Sequence, residues 1–258
     1  MIEMRQIVTL AALVAREARG THFFVVIVIL LAIGFGLAMF VGQITIIESR
    51  AYQSSILAAF LRLGGIYIVS LFVITSMVHE FHDYSIYLWL SLPLQRRTYF
   101  LGKFGGFALV AFVTAILFGS ALLVYVPYQQ VGLWTLSLFG ELLIMIAVSL
   151  LCVFTFHQTV KAFSVVLGFY ILARSISAIQ LMAMGPLFDS QSWVNQFINF
   201  LVNLLAMLLP NLERFTQSEW LVYHSGHLDN LFEIAIQTII YVMLLMAMSL
   251  FDLYRKNL

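Results

Sequence analysis

Long apolar runs separated by short polar stretches dominate the chain. Crossing about 30 Å of hydrocarbon takes about 20 helical residues. Six runs approach or exceed that length, at 22–46, 63–78, 104–126, 134–156, 162–184 and 231–251. They are too continuous for barrel strands, which alternate in polarity over about ten residues. The pattern predicts an all-α integral membrane protein with six transmembrane helices, forming one domain over residues 1–258.

The segment before the first run, residues 1–20, has the pattern of an amphipathic helix. Its apolar residues recur at helical spacing, and the charged residues fall largely on other faces. The apolar positions are Ile7, Leu10, Ala11, Val14 and Ala18. Such a helix would lie flat in the inner membrane interface, and an ordinary cytoplasmic lead-in is the alternative. Because charged residues precede the first long run, we expect no removable signal peptide.

The longest stretch outside the six runs is 185–230, and it is not a hydrophilic domain. Its apolar part is interrupted by Asn195, Asn199 and Asn203, and it ends at Pro210. Backbone that turns back at membrane depth is tolerated only where it packs against protein. We predict one or two short re-entrant or interfacial helices on the extracytoplasmic side, before the sixth span.

Composition excludes a soluble globular protein. The chain is 62% hydrophobic and 10% charged, with a mean hydropathy of +1.01, whereas soluble domains are about 45–50% apolar and about 25% charged. The single cysteine, Cys152, excludes an intrachain disulfide and is interpreted as a buried apolar residue.

The distribution of positive charge predicts the orientation. Cytoplasmic loops of membrane proteins carry an excess of Lys and Arg, and an N-terminus inside gives the inner side most of these residues. We therefore place both termini in the cytoplasm. The predicted anchors at the inner interface, where they can meet anionic lipid, are Arg16, Arg19, Arg96, Arg97 and Lys103.

The most polar interruption, residues 79–103, is called the insert below. Glu80 and Asp83 are predicted to begin a short helix, and Pro93 stops or bends it. The apolar residues between them are too many for a free loop. The insert is therefore predicted to hold a short amphipathic helix nearly parallel to the membrane. It either presents a face to a cytosolic partner or merely anchors a loop.

The insert also resembles the coupling-helix region of ABC-2 type transporter permeases. The matching positions are Glu80, Asp83, Ser85, Leu90-Ser91-Leu92-Pro93, Arg96, Arg97, Tyr99 and Gly102-Lys103. The resemblance extends to the architecture, with an amphipathic "elbow" helix before six spans and short outer helices before the sixth.

This resemblance implies a non-catalytic subunit in a bacterial cytoplasmic membrane. Its partners would be a second permease protomer (identical or different), two separate ATPase subunits that carry ATP and Mg²⁺, and membrane lipids, with no nucleic acid. No cofactor or metal is expected on this chain. The residues implied to contact the ATPase are Glu80, His82, Asp83, Tyr84, Tyr87 and Trp89.

The chain lacks a recognisable nucleotide or metal site. Gly102-Lys103 fails the P-loop pattern, because Arg97 stands where a glycine is required and Phe104 where a hydroxyl residue is required. The histidine pairs His79/His82 and His224/His227 lack a third convergent ligand. We therefore predict no metal binding and no catalytic residue.

Ionisable and amide groups inside the spans are the remaining candidates for a site. They are Arg174, Glu141, Gln180 and Glu233. A charge at this depth needs a partner. Arg174 is expected either to pair with Glu141 or with re-entrant carbonyls, or to face an anionic substrate.

Three classes of function fit these observations. The first is the permease of an ATP-driven exporter, with a lipid-like, amphipathic or peptide-like cargo, or a role in haem or metalloenzyme maturation. The second is a secondary transporter or channel, which favours several midplane charges. The third is a membrane enzyme, which requires a clustered nucleophile, acid pair or metal triad.

Overall fold

A computed structural model describes residues 2–44, 49–83, 95–183 and 193–255, which are helical nearly throughout. The helices are α1 (Ile2–Gly20), α2 (Phe23–Ile44), α3 (Ser49–His82), α4 (Arg96–Leu122), α5 (Tyr128–Phe156), α6 (Thr159–Ala183), α7 (Trp193–Leu208), a 3-10 turn (Leu212–Arg214), α8 (Ser218–Tyr223) and α9 (Leu228–Arg255). Six of them, α2 to α6 and α9, are long and apolar enough to cross a membrane. The predicted all-helical multi-pass protein is therefore confirmed.

Helix α5 lies at the centre of the bundle. It packs against α3, α4, α6 and α9, and Trp134, Leu142 and Met145 on it are fully buried. In contrast, α2 and α9 leave most of their apolar side chains exposed. In a membrane such side chains face lipid or another protein, because the bilayer core offers no water.

Helix α1 lies against α4. The apolar face predicted from the sequence is the buried one, with Leu10, Val14 and Ala18 each at most 4% exposed. Gly106 of α4 makes the close approach feasible, since a Cβ built there would lie 2.7 Å from the Cβ of Val14. Small residues allow helices to approach in this way. The apolar face of α1 is thus covered by protein, whereas the sequence predicted that it would face the membrane interface.

Two helix boundaries near the insert differ from the prediction. Helix α3 begins at Ser49 and continues to His82, so Glu80 lies in its last turn and does not begin a separate helix. Helix α4 begins at Arg96, whereas the apolar run predicted a start at Phe104. Both predictions were wrong because apolar runs end at the first charges, whereas a helix continues through charges that have polar partners.

The segment before α9 contains helices α7 and α8, with a 3-10 turn between them. Helices α7 and α8 are separated by a break at Leu209 to Asn211, and the two halves, Gln196–Leu208 and Leu212–Tyr223, meet at 57°. Pro210 favours the break because it has no backbone N–H to donate. By length and composition, the pair counts as one broken span or a re-entrant loop.

Candidate functional site

One charged cluster joins the end of α3 to the beginning of α4. Lys103 is 5% exposed, and its ammonium donates to the Glu80 carboxylate. The Tyr99 hydroxyl donates to the other oxygen of the same carboxylate, with 2.6 Å between Oη and Oε2. Hydrogen bonds to ionised groups are the strong ones. Because Glu80 and Lys103 stand near the two ends of the insert, this cluster holds those ends together.

This geometry changes two expectations from the sequence. Lys103 does not face the headgroup region, since its ammonium is buried against Glu80. Only 16% of the Glu80 side chain is exposed, so its carboxylate is used inside the protein. A lysine pointing into a bundle needs such a partner, because an unpaired buried charge is costly.

The other residues of the predicted ATPase contact divide into two groups. His82 and Asp83 are exposed, and Asp83 pairs with His79 one helical turn earlier, with 3.0 Å between Oδ2 and Nε2. Tyr84, Tyr87 and Trp89 lie outside the described residues.

The same end of α3 also contacts α5. The Phe81 ring packs edge-on against Phe154, with centroids 5.9 Å apart, and against the His157 imidazole at 4.7 Å. His157 ends α5 in a left-handed conformation, with φ of 52°. The last turn of α3 therefore has contacts with two neighbouring helices.

The arginines predicted as inner anchors do not behave alike. Arg16, Arg19 and Arg97 are exposed. Arg96 instead donates from Nη1 to the carbonyl of Leu253 at 3.0 Å, and its guanidinium lies 5.8 Å from the Tyr254 ring centroid. Arg96 thus ties the start of α4 to the end of α9.

A second charged cluster surrounds the 3-10 turn that follows α7. Glu141 of α5 is fully buried, and the Arg174 guanidinium of α6 approaches it, with Nη1 3.4 Å from Oε1. The same nitrogen donates to the carbonyls of Leu212 at 2.7 Å and Phe215 at 3.2 Å. Arg174 therefore contacts both partners expected from the sequence, the Glu141 carboxylate and backbone carbonyls of the segment before α9.

Thr216 completes this cluster. Its hydroxyl donates to Glu141 Oε2 at 2.8 Å, and its backbone N–H donates to Ser137 Oγ at 2.9 Å. Its carbonyl accepts from Arg62 Nη1 of α3 at 3.1 Å. Arg174 Nη1 of α6 also lies 3.4 Å from the Thr216 hydroxyl oxygen. Three helices thus contact Thr216, which has a positive φ of 46°. Sequence reasoning missed Ser137 and Thr216, and the only signal for Arg62 was its position inside an apolar stretch.

The two other polar residues predicted in the spans do not join this cluster. Gln180 donates to Asn203 Oδ1 of α7 at 3.4 Å. Glu233 pairs with Arg214, with 3.1 Å between Oε2 and Nη1, and both side chains are exposed. The four predicted residues therefore separate into one buried network and two surface contacts.

Within the described ranges, no group of three or more His, Cys, Asp or Glu side chains is placed to hold a metal ion. In comparisons with known proteins, no family model matches the chain, and no curated protein matches it significantly.

Proposed function

We propose that this chain is the permease subunit of an ABC-2 type transporter in a bacterial cytoplasmic membrane. Two permease protomers would form the pathway, and separate ATPase subunits would bind and hydrolyse ATP. The cargo proposed is lipid-like, amphipathic or peptide-like. The observation that carries this proposal is the buried Glu80–Tyr99–Lys103 cluster, which joins the two helices from which the insert extends.

A motor subunit that pushes a loop does work on the membrane part only if the loop is held firmly. Here Glu80 and Lys103 link α3 to α4, and Phe81 links α3 to α5. Movement of the insert would therefore move three helices together. Rigid-body movement of packed elements is a known form of conformational change.

Two further features support the same function. The insert resembles the coupling region of these permeases, and α1 occupies the place of their elbow helix in chain order. The chain carries no P-loop pattern, which fits ATP binding by a partner.

The test is co-purification with a candidate ATPase encoded beside the gene. Because Glu80 has an internal role, the variant should change only exposed residues, and His82→Ala with Asp83→Ala meets that condition. We expect it to lose ATPase association while the protein stays folded. The matched control is His227→Ala with Asp229→Ala, which removes the same residue types near the start of α9. Equal ATPase binding by the two double variants would contradict the proposed contact.

Topology is tested by thiol labelling of intact cells. Cys152 is 5% exposed, so we expect a low background from the native thiol. Asp83→Cys should react with an impermeant maleimide only after permeabilisation, whereas Asp229→Cys should react in intact cells. The reverse result would exclude a cytosolic motor at the insert.

A further inference from the structure

A groove follows α3 from Tyr67 to His79, beside the junction of α1 and α2. Its volume is about 460 Å³, within the range of about 300–1,000 Å³ of small-molecule sites. At 1.5 Å per helical residue, the groove extends for about 18 Å. A long cavity of modest volume fits one extended chain better than a two-chain lipid.

The two ends of this groove differ in polarity. Its body is lined by apolar side chains that include Phe23 and Phe72, whose ring centroids lie 4.8 Å apart. The end nearest α1 is lined by Glu17, Ser76 and His79. This gradient matches a molecule with one polar head and one apolar tail.

Ser76 lacks a hydrogen-bond partner at the polar end. Its side chain is 4% exposed, and its Oγ accepts or donates no hydrogen bond within the described part of the chain. A buried hydroxyl without a partner costs about 1–3 kcal/mol. A polar head in the groove would supply the missing partner.

The charges around the polar end favour a cation. Among the described residues Glu17 forms no ion pair, whereas Glu80 pairs with Lys103 and Asp83 with His79. The polar end also adjoins the last turn of α3, where the helix dipole favours positive charge. One carboxylate is therefore left without a counter-charge, which a bound ammonium group would provide.

We propose that this groove binds a small single-chain amphiphile with an ammonium head. The head contacts Glu17 and Ser76, and the tail lies along Phe72 and Tyr67. That such an amphiphile is transported cargo rests on the proposed function, since only a transporter would carry the bound molecule across the membrane. Binding itself needs no ATPase.

The test uses the full chain alone in phosphatidylcholine nanodiscs. The probe is dodecylamine carrying a diazirine on the tail, and dodecanoic acid with the same diazirine is the matched probe of opposite charge. After irradiation, peptide mass spectrometry locates the adducts. We expect the amine to label residues 67–79 of α3, and the acid to label them at least about tenfold less.

Two variants identify the contacts. Glu17→Gln should lower amine labelling about fivefold, which is the loss of affinity expected when one partly exposed ion pair is removed. The control is Glu219→Gln, which removes an exposed carboxylate outside the groove and should leave labelling unchanged. Thr75→Phe should abolish labelling by filling the groove, since Thr75 lines it and is exposed.

Three results would overturn the inference: equal labelling by the two probes, equal labelling in Glu17→Gln and Glu219→Gln, or displacement of the amine by an equal amount of phosphatidylethanolamine. If amine binding is found but no ATPase associates with the chain, the proposed function fails and the groove remains a binding site. If ATPase associates but the amine does not bind, only the groove assignment fails.

Discussion

Replacing Lys103 by methionine tests the Glu80–Tyr99–Lys103 cluster. The change keeps most of the apolar volume of the side chain and removes the ammonium that pairs with Glu80. The Glu80 carboxylate then remains largely buried, with the Tyr99 hydroxyl as its donor. Removing one partner of a buried ion pair costs about 3–5 kcal/mol. Because 16% of the Glu80 side chain is exposed, we expect the lower end, about 3 kcal/mol.

The assay is thermal unfolding of the purified chain in detergent, followed by tryptophan fluorescence. The chain has four tryptophans, and Trp134 is fully buried. For a chain of this size each kcal/mol shifts Tm by about 2–4 °C, so Lys103→Met should lower the apparent Tm by about 6–12 °C. All variants are scanned at one rate, because unfolding of such proteins is often irreversible.

A double variant separates the ion pair from general damage. Glu80→Gln combined with Lys103→Met leaves no unpaired charge, so its loss of stability should be clearly smaller than the sum of the two single losses. Lys161→Met removes an exposed lysine and should change the free energy of unfolding by no more than about 0.5 kcal/mol. A Tm for Lys103→Met within 2 °C of the unaltered chain, or strict additivity in the double variant, would refute the reasoning.

The Glu141–Arg174 pair and the contact between α1 and α4 give predictions that the same melting assay checks. Arg174→Met should destabilise the chain by about 3–5 kcal/mol, since Glu141 is fully buried, and adding Glu141→Gln should restore part of the loss; no recovery would argue against the pair. Gly106→Ala should lower Tm and speed trypsin cleavage within α1, because its Cβ would lie 2.7 Å from the Cβ of Val14. Gly105→Ala, with open space at its Cβ, should be neutral or stabilise by up to about 1 kcal/mol, and equal effects at both glycines would contradict the close packing of α1.

The two charged clusters share one physical logic. Each pairs a cation on one helix with a carboxylate on another. The Glu141–Arg174 cluster holds Thr216 and the carbonyls of the 3-10 turn, so the Arg174 guanidinium has its partners within the protein and needs none from a substrate. The Glu80–Tyr99–Lys103 cluster joins the two ends of the insert. Charged side chains within the spans of membrane proteins pair in this way because an unpaired charge in hydrocarbon is costly.

The number and kind of the long helices could be predicted from the amino-acid sequence alone. Spanning hydrocarbon is a local property, since the length and apolar character of one run decide it. The buried face of α1, at Leu10, Val14 and Ala18, also followed from local spacing. A partner for Arg174 could be anticipated because a charge at that depth requires one.

The pairs of residues that meet could not be predicted, because they depend on how the helices pack. That Lys103 turns inward to Glu80, and that Arg62 and Ser137 hold Thr216, depends on how helices far apart in the chain are packed and rotated against one another. Hydropathy does not encode that rotation, because a charged residue ends an apolar run in the same way whether it faces headgroups or a buried partner. The end of α3 and the start of α4 were mispredicted for the same reason.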